Sequence, residues 1–234
     1  MNHNHQLSIH IQCLDKGFLE YEDHMGDDMT VLNAARVSFA KKKSGELDAK
    51  DTLLMNYLAE HEHWSPFRHN YLTLRIKAPI FCFRQIMKHR IASDFNEMSG
   101  RYAEFEETDF FVPVAFRKQA LINKQGSEGE LDDVTDDIAL SAYLESCHSS
   151  MESYKELLKL GVCREQARCV LPVGMYSQAI WTISLQAAVH FIRLRTSDHA
   201  QAETREYGEA MKKICMELWP LATTALMDRL PEVK

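Results

Sequence analysis

Segment 84–102 concentrates side chains that can bind an anion and a polar heterocycle together. It holds the basic run 88–90 and, further along, Glu97, Ser99 and Arg101. Guanidinium groups offer paired N–H donors for a phosphate, while Glu97 can accept from a ligand N–H or orient an arginine. This chemistry favours a nucleotide-like ligand. The alternative is a basic run that only complements a helix dipole.

The chain as a whole is acidic. It has 27 Lys and Arg against 34 Asp and Glu, a formal charge of −7. Nucleic acid and anionic membranes are therefore not expected as partners, and an anion must be held by a local cluster. The six cysteines show neither disulfide nor zinc spacing, and no apolar run is long enough for a membrane span. These features predict a cytoplasmic protein without a bound metal.

A second polar cluster lies in 61–69. It holds His61, His63 and His69, with Trp64 and Phe67 between them. A zinc site is conceivable, but His-x-His lacks the i, i+4 spacing of the helical metalloprotease pair. The rings could instead wall a stacked heterocycle, or be ordinary surface histidines. No nucleophile motif, P-loop or Rossmann glycine pattern is present, so the chemistry of an enzyme here would belong to a cofactor.

Hydrophobic periodicity predicts an α+β, helix-rich single domain over residues 1–234 with a small antiparallel sheet. Strands are predicted over 7–14 and 70–77, and residues 1–5 are expected to fray. An exposed loop, possible disorder included, is predicted over 123–137. Helices are predicted over 30–38, 49–60, from Pro79 at position N1 to near Arg90, over 140–158 before Gly161, and over 164–171, 184–195 and 200–219, with a break at Pro220.

Several ordered blocks resemble the flavin-dependent thymidylate synthases, a family also called thymidylate synthase-complementing proteins. The family signature is Arg-His-Arg, seven residues, then Ser, and Lys88-His89-Arg90 followed by Ser99 is similar to it. The resemblance covers roughly residues 8 to 215, and its other blocks are 14–18, 34–38, 61–69, 77–81, 164–172 and 194–201.

The resemblance implies an activity and an assembly. Family members are methyltransferases that make dTMP from dUMP, with 5,10-methylenetetrahydrofolate as carbon donor, FAD as redox mediator and NADPH as reductant. They lack a cysteine nucleophile, which agrees with the empty motif search. They form homotetramers in which several subunits build each active site.

The resemblance also implies roles for individual residues. Arg195 would lie by the uracil and favour ionisation at N3, and it is expected to be catalytic together with Ser99 and His63, which borders the nicotinamide or folate pocket. Contacts to dUMP are expected from Gln85, Lys88, Glu97, Met98, Ser99, Gly100, Arg101, Arg168 and Arg195. Contacts to FAD are expected from Ser65, Lys88, His89, Arg90, Glu97, Ser184, Gln186 and His190.

The chain departs from the family pattern in three ways. Lys88 replaces the first arginine and so loses the planar fork. Eight residues, not seven, separate Arg90 from Ser99, and the extra one is expected near 94–95 as a loop bulge or a helical π-bulge. Ser184 and Gln186 stand where Asn and Arg are common. Two alternatives therefore stay open: a pyrimidine deoxynucleotide hydroxymethylase, and a flavin- or nucleotide-binding homologue without turnover.

Overall fold

The computed structural model describes residues 8–106 and 108–229, so the predicted fraying of residues 1–5 lies outside the described part. A five-stranded antiparallel sheet forms the centre of the fold, in the order β1-β2-β3-β7-β4. A hairpin of β5 and β6 stands apart from it. The strands are β1 (His10–Cys13), β2 (Gly17–Met25), β3 (Tyr71–Pro79), β4 (Ser93–Glu97), β5 (Arg117–Gln119), β6 (Ser127–Glu130) and β7 (Tyr176–Ser184).

The other regular elements of the described residues are helices and three short 3₁₀ segments. The 3₁₀ segments are Val37–Phe39, Ser65–His69 and Arg168–Val170. None of the helices in the described ranges has the length and apolar character that a bilayer span requires. The helices are α1 (Asp28–Arg36), α2 (Ala49–Glu60), α3 (Ile80–Ile86), α4 (Asp133–Lys159), α5 (Arg164–Ala167), α6 (Leu185–Arg195), α7 (Ala202–Leu218) and α8 (Pro220–Arg229).

One face of the sheet forms the main core. Leu72, Leu74 and Ile76 of β3 are fully buried, and Trp181 and Ile183 of β7 join them. Alternate side chains of a strand point to the same face, so this period-two pattern turns one side of the sheet towards the helices. A second, smaller cluster forms beneath α4 from Phe110, Cys147, Met151, Tyr154, Ala167 and Met175.

Carboxylate caps set where α1 and α2 begin. Asp27 accepts from Thr30 N–H at 2.7 Å in a capping box, and this starts α1 before the predicted Thr30. Asp48 forms the same arrangement ahead of α2, whose predicted bounds are confirmed. Such caps satisfy amide groups that have no partner inside the helix, which is worth about 1 kcal/mol each.

The predicted helix from Pro79 to Arg90 is wrong at both ends. Pro79 is the last residue of β3, and its extended ψ of 147° makes it the N-cap rather than position N1. Helix α3 then ends at Ile86, because the chain must turn at 87–92 to enter β4. Lys88 therefore lies beyond the helix, not one turn after Arg84 on its surface.

The acidic range 123–137 is exposed, as predicted, but it is not simply a loop. Ser127–Glu130 forms β6, which pairs antiparallel with β5, and α4 already begins at Asp133. The Asp132 carboxylate accepts from Thr135 N–H at 3.1 Å and starts that helix. The many Asp residues that suggested a loop are thus partly a helix-capping sequence.

The expected bulge near residues 94–95 is absent. Residues Ser93 to Glu97 pair in unbroken register with Ile183 to Ala179 of β7. Just before the strand, Ala92 has a left-handed φ of 50°. The length of the connection between α3 and Ser99 is therefore taken up in the turn at 87–92, and every side chain of β4 keeps its face.

Candidate active site

Arg195 is held by two hydrogen bonds at the last residue of α6. Its Nε donates to Nε2 of His89 at 3.2 Å, and its Nη2 donates to the main-chain oxygen of Gln85 at 3.2 Å. Burial lowers the pKa of Arg195, but a guanidinium stays protonated at physiological pH. Contacts between described residues thus use two of its five N–H groups for positioning.

His89 is the neutral partner of this cation. Burial, then the charges of Arg195 and His190, lower the pKa of His89 to about 4. The accepted hydrogen bond places the lone pair on Nε2 and the ring proton on Nδ1. A neutral imidazole that accepts from Arg195 fixes the direction of the guanidinium without cancelling its charge.

A chain of aromatic contacts ties His89 to the sheet. Its ring meets Phe191 edge-on at 5.0 Å, and Phe191 meets Trp181 edge-on at 5.1 Å. Trp181 in turn stacks on Phe95 of β4 at 5.0 Å and donates to Ser93 Oγ at 2.9 Å. Such ring pairs add to area burial, so the position of His89 is determined by the core.

A second group of predicted site residues forms a tight turn after β4. The main-chain oxygen of Ser99 accepts from Tyr102 N–H at 2.9 Å, closing the turn around Gly100. A Cβ on Gly100 would lie 2.6 Å from Phe105 and 3.2 Å from Cδ of Arg168. Glycine is therefore what lets the stem of Arg168 approach this turn.

Side chains beside this turn carry opposite charges. Arg101 pairs with Glu165 at 3.4 Å, with both side chains largely exposed. Glu97 accepts from Ser177 Oγ at 2.6 Å, and its neighbour Met98 donates its N–H to Gln178. An exposed pair of this kind contributes little stability, so Arg101 can change partner to bind an anion at small cost.

The residues predicted to contact FAD occupy varied environments. Lys88 and Arg90 are exposed, and neither makes an ion pair within the part of the chain that the structure describes. Gln186 accepts from Arg68 Nε at 2.6 Å, beside exposed Ser65. His190 is exposed on α6, with its ring 5.8 Å from His89.

Ser184 has an observed partner of another kind. It is fully buried, and its hydroxyl accepts from Ala187 N–H at 3.3 Å as the N-cap of α6. This cap fixes where the helix that carries His190 and Arg195 begins. A contact between Ser184 and FAD stays a prediction.

Two of the three histidines in 61–69 pack against Tyr57. The ring of His61 stacks on Tyr57 at 4.0 Å, and exposed His63 meets Tyr57 edge-on at 5.7 Å. Across the described ranges, no group of three His, Cys, Asp or Glu side chains is arranged to hold a metal ion. The alternative of a zinc hydrolase built on His61, His63 and His69 therefore has no structural support.

The predicted site residues thus fall into two groups. Gln85, His89, His190 and Arg195 contact one another, and the turn 99–101 contacts Arg168. No hydrogen bond, ion pair or ring contact between described residues joins the two groups. Lys88-His89-Arg90 precedes β4 and Ser99 follows it, and the four residue steps of that strand span about 14 Å.

The sequence did not predict a series of hydrogen-bonded polar side chains that contacts Gln85. Gln201 and Glu203 lie at the start of α7, where polar side chains usually face solvent, but Glu203 is only 7% exposed. It forms an ion pair with Arg117 of the β5–β6 hairpin at 2.6 Å. No local sequence pattern pointed to Arg117 as the partner of Glu203, because 86 residues separate the two in the chain.

An α+β fold with clustered cations in an acidic chain is the arrangement expected of a protein that binds an anionic ligand. The sequence profile of the family described as "Thymidylate synthase complementing protein" matches residues 21–221. The chain belongs to this family.

Similar proteins agree with that assignment. The chain is 39% identical over 220 residues to the flavin-dependent thymidylate synthase of Kosmotoga olearia, with 94% of each chain covered. It is 42% identical over 222 residues to the enzyme of the same name from Thermus thermophilus, covering 95% of this chain and 80% of the relative.

A solved structure shares the fold. The UMP/dUMP methylase PolB from Streptomyces cacaoi, bound with 5-Br dUMP, superposes with a TM-score of 0.82 at 32% identity. The match covers 92% of this chain and 96% of the methylase. A second structure of that methylase, bound with 5-Br UMP, gives a TM-score of 0.80.

Proposed function

We propose that this protein converts dUMP to dTMP, with 5,10-methylenetetrahydrofolate as carbon donor, FAD as redox mediator and NADPH as reductant. Family membership and the likeness to flavin-dependent thymidylate synthases support the reaction. The likeness to a UMP/dUMP methylase supports a pyrimidine nucleotide as substrate. The observation that carries the proposal is Arg195, a cation fixed by neutral His89 and by the Gln85 carbonyl.

Arg195 polarises the pyrimidine. Placed beside the uracil ring, a fixed cation stabilises negative charge at N3 and on the flanking carbonyl oxygens. That charge raises the electron density at C5, the carbon to which the new group is attached. Because His89 and Gln85 already hold the guanidinium, little reorganisation is needed when the charge develops.

The phosphate end of the nucleotide belongs to the turn after β4. Ser99 supplies a hydroxyl, Gly100 contributes through its main chain and leaves room for the Arg168 stem, and Arg101 and Arg168 supply guanidinium forks. Glu97 and Met98 complete this substrate contact, together with Gln85 and Lys88 from the other group. Ser99 acts through hydrogen bonding to the substrate, because no base among residues 8–106 and 108–229 is hydrogen-bonded to its hydroxyl.

The residues present fit FAD by the chemistry of their donors. Exposed Lys88 and Arg90 match an anionic pyrophosphate, while His89, His190, Gln186, Ser65, Ser184 and Glu97 would make the remaining contacts. The flavin supplies the redox chemistry when it is bound. Exposed His63 borders the pocket for nicotinamide or folate.

We further propose a single domain over residues 1–234 that assembles as a homotetramer with shared active sites. Among the residues that the structure describes, no hydrogen bond, ion pair or ring contact joins the two groups within one chain, although both are needed around one nucleotide. A neighbouring subunit that brings its Ser99–Arg101 turn and Arg168 to Arg195 completes the site.

A direct assay tests the proposal. Purified protein should be yellow, its flavin absorbance should bleach with NADPH, and dTMP should form from dUMP only with methylenetetrahydrofolate present. Mass spectrometry separates methyl from hydroxymethyl products, which differ by one oxygen, and UMP serves as a parallel substrate. Protein that neither binds FAD nor converts dUMP contradicts the proposal, and flavin binding without turnover identifies a binding homologue.

A further inference from the structure

A polar chain runs from the β5–β6 hairpin to Gln85. Arg117 donates from Nε to Ser127 Oγ at 2.9 Å and from Nη2 to Glu203 Oε1 at 2.6 Å. The other Glu203 oxygen accepts from Gln201 Nε2 at 2.9 Å. Gln201 Oε1 then accepts from Nε2 of Gln85. This series of hydrogen bonds therefore connects the Arg117–Glu203 ion pair to a residue of the candidate site.

Hydrogen-bond polarity fixes both amides in this chain. A carboxylate can only accept, so Gln201 must turn its NH₂ group towards Glu203. Its carbonyl oxygen then faces Gln85, and Gln85 must in turn present NH₂ to it. The Oε1 atom of Gln85 is left facing away from the chain as an acceptor, and no donor among the described residues contacts it.

Glu203 is a carboxylate at neutral pH. Burial alone would raise its pKa, but hydrogen bonds from Arg117, its own backbone and Gln201 outweigh that effect, and the net shift is downward. The donor-to-acceptor direction of these hydrogen bonds is thus the one that an ionised Glu203 sets. The same Gln85 also anchors Arg195 through its main-chain oxygen.

We propose that Glu203 is a positioning residue that acts through Gln201 to present the Gln85 Oε1 atom to a hydrogen-bond donor of the nucleotide. This inference rests on the proposed function, because it places dUMP at Gln85. Two groups of dUMP offer such a donor apart from the phosphate, the N3–H of the ring before it ionises beside Arg195 and the 3′-hydroxyl of the sugar. An amide with the reverse orientation would present NH₂ and reject either of them.

Three ligands distinguish the two donors. The dissociation constants of dUMP, of 3-methyl-dUMP and of 2′,3′-dideoxyuridine monophosphate are measured for the FAD-loaded protein. In the wild type, the analogue that lacks the recognised donor should bind about three- to tenfold more weakly than dUMP, the value of one neutral hydrogen bond.

The variants are Glu203→Gln, which can donate as well as accept, and Gln201→Leu, which leaves the Arg117–Glu203 pair intact. Both should shrink the wild-type discrimination between dUMP and that analogue towards onefold. Glu206→Gln is the matched control on α7, because Glu206 accepts from Leu14 N–H and lies outside the chain to Gln85. It should keep the full discrimination.

If Glu203→Gln and Gln201→Leu weaken the binding of all three ligands by the same factor, Glu203 does not orient Gln85 towards a ligand donor. That result would overturn the inference. Wild-type protein that binds dUMP but discriminates against neither analogue would also overturn it, while leaving the proposed function intact. Wild-type protein that does not bind dUMP would contradict the proposed function, and the inference with it.

Discussion

The Nε–H of Arg195 points at the unprotonated Nε2 of His89, 3.2 Å away. The two residues are 106 positions apart in the chain, yet each determines the state of the other. Burial and, after it, the charge of Arg195 keep the imidazole neutral, and the neutral imidazole keeps the guanidinium in one orientation. The pair is therefore the unit on which mutation and pH should act.

Replacing Arg195 by lysine should reduce dUMP turnover by about 100-fold or more, which is typical of losing a preorganised donor. Lysine keeps the positive charge, but it lacks the Nε–H that reaches His89 and the planar fork. Steady-state rates at saturating cofactors measure the effect. Arg229→Lys, at an exposed position of α8, serves as the control and should retain full activity. Near-wild-type turnover in Arg195→Lys would remove the assigned role.

Stability should depend on pH through His89. Its pKa is about 4 in the folded chain and near 6.5 when unfolded, so the unfolded state binds more protons between these values. The free energy of unfolding should therefore decrease as the pH falls from 6.5 to 4. Urea unfolding at several pH values in this window measures the slope.

The variant His89→Gln tests whether this slope comes from His89. Glutamine can accept from Arg195 near the position of Nε2, but it does not titrate. The slope between pH 4 and 6.5 should become shallower than in the wild type. An unchanged slope would assign the pH dependence to other groups.

Gly100→Ala should weaken dUMP binding and lower stability by about 1–3 kcal/mol, the usual cost of overpacking. The new methyl group would displace Phe105 and the stem of Arg168. Gly45→Ala is an instructive comparison, since it has open space around it but a φ of 93°. That variant should lose stability through backbone strain alone and bind dUMP normally. Calorimetric titration and thermal unfolding measure the two effects separately.

Asp51→Asn should lower the free energy of unfolding by about 3–5 kcal/mol, as expected when one partner of a buried ion network is removed. Asp51 is fully buried, pairs with Arg36, and accepts from Lys43 Nζ at 2.5 Å. Asp228→Asn, an exposed substitution, should change stability by less than about 0.5 kcal/mol. Equal denaturation midpoints for the two variants would contradict this role of Asp51.

Local patterns predicted the helices better than the strands. Helix α2 was predicted with its correct bounds, because its apolar spacing follows directly after a polar stretch that ends in the Asp48 cap. Within the central sheet, strands β2, β4 and β7 were not predicted. Their identity depends on partners far along the chain, such as the pairing of Phe18 with Lys77. Pairing over such distances leaves little trace in a short window of residues.

The candidate site was predictable only where a family motif marks it. The resemblance pointed to Arg195, His89 and Ser99, and the structure shows the contacts between the first two. It could not reveal that Glu203 is buried against Arg117, because a Glu near a helix start usually faces solvent. Burial of such a residue is a property of the packed hairpin and not of its neighbours in sequence.

Arg195 belongs to one group of site residues, with His89 and Gln85, and Arg168 belongs to the other, beside the turn 99–101. This separation has a genetic consequence. If each site takes these arginines from different subunits, two chains with different lesions can repair each other. Arg195→Ala and Arg168→Ala proteins, each inactive alone, should regain part of the wild-type activity when their subunits are mixed and reassembled. Two such alleles expressed in one cell would then complement each other, although neither gene encodes a working enzyme.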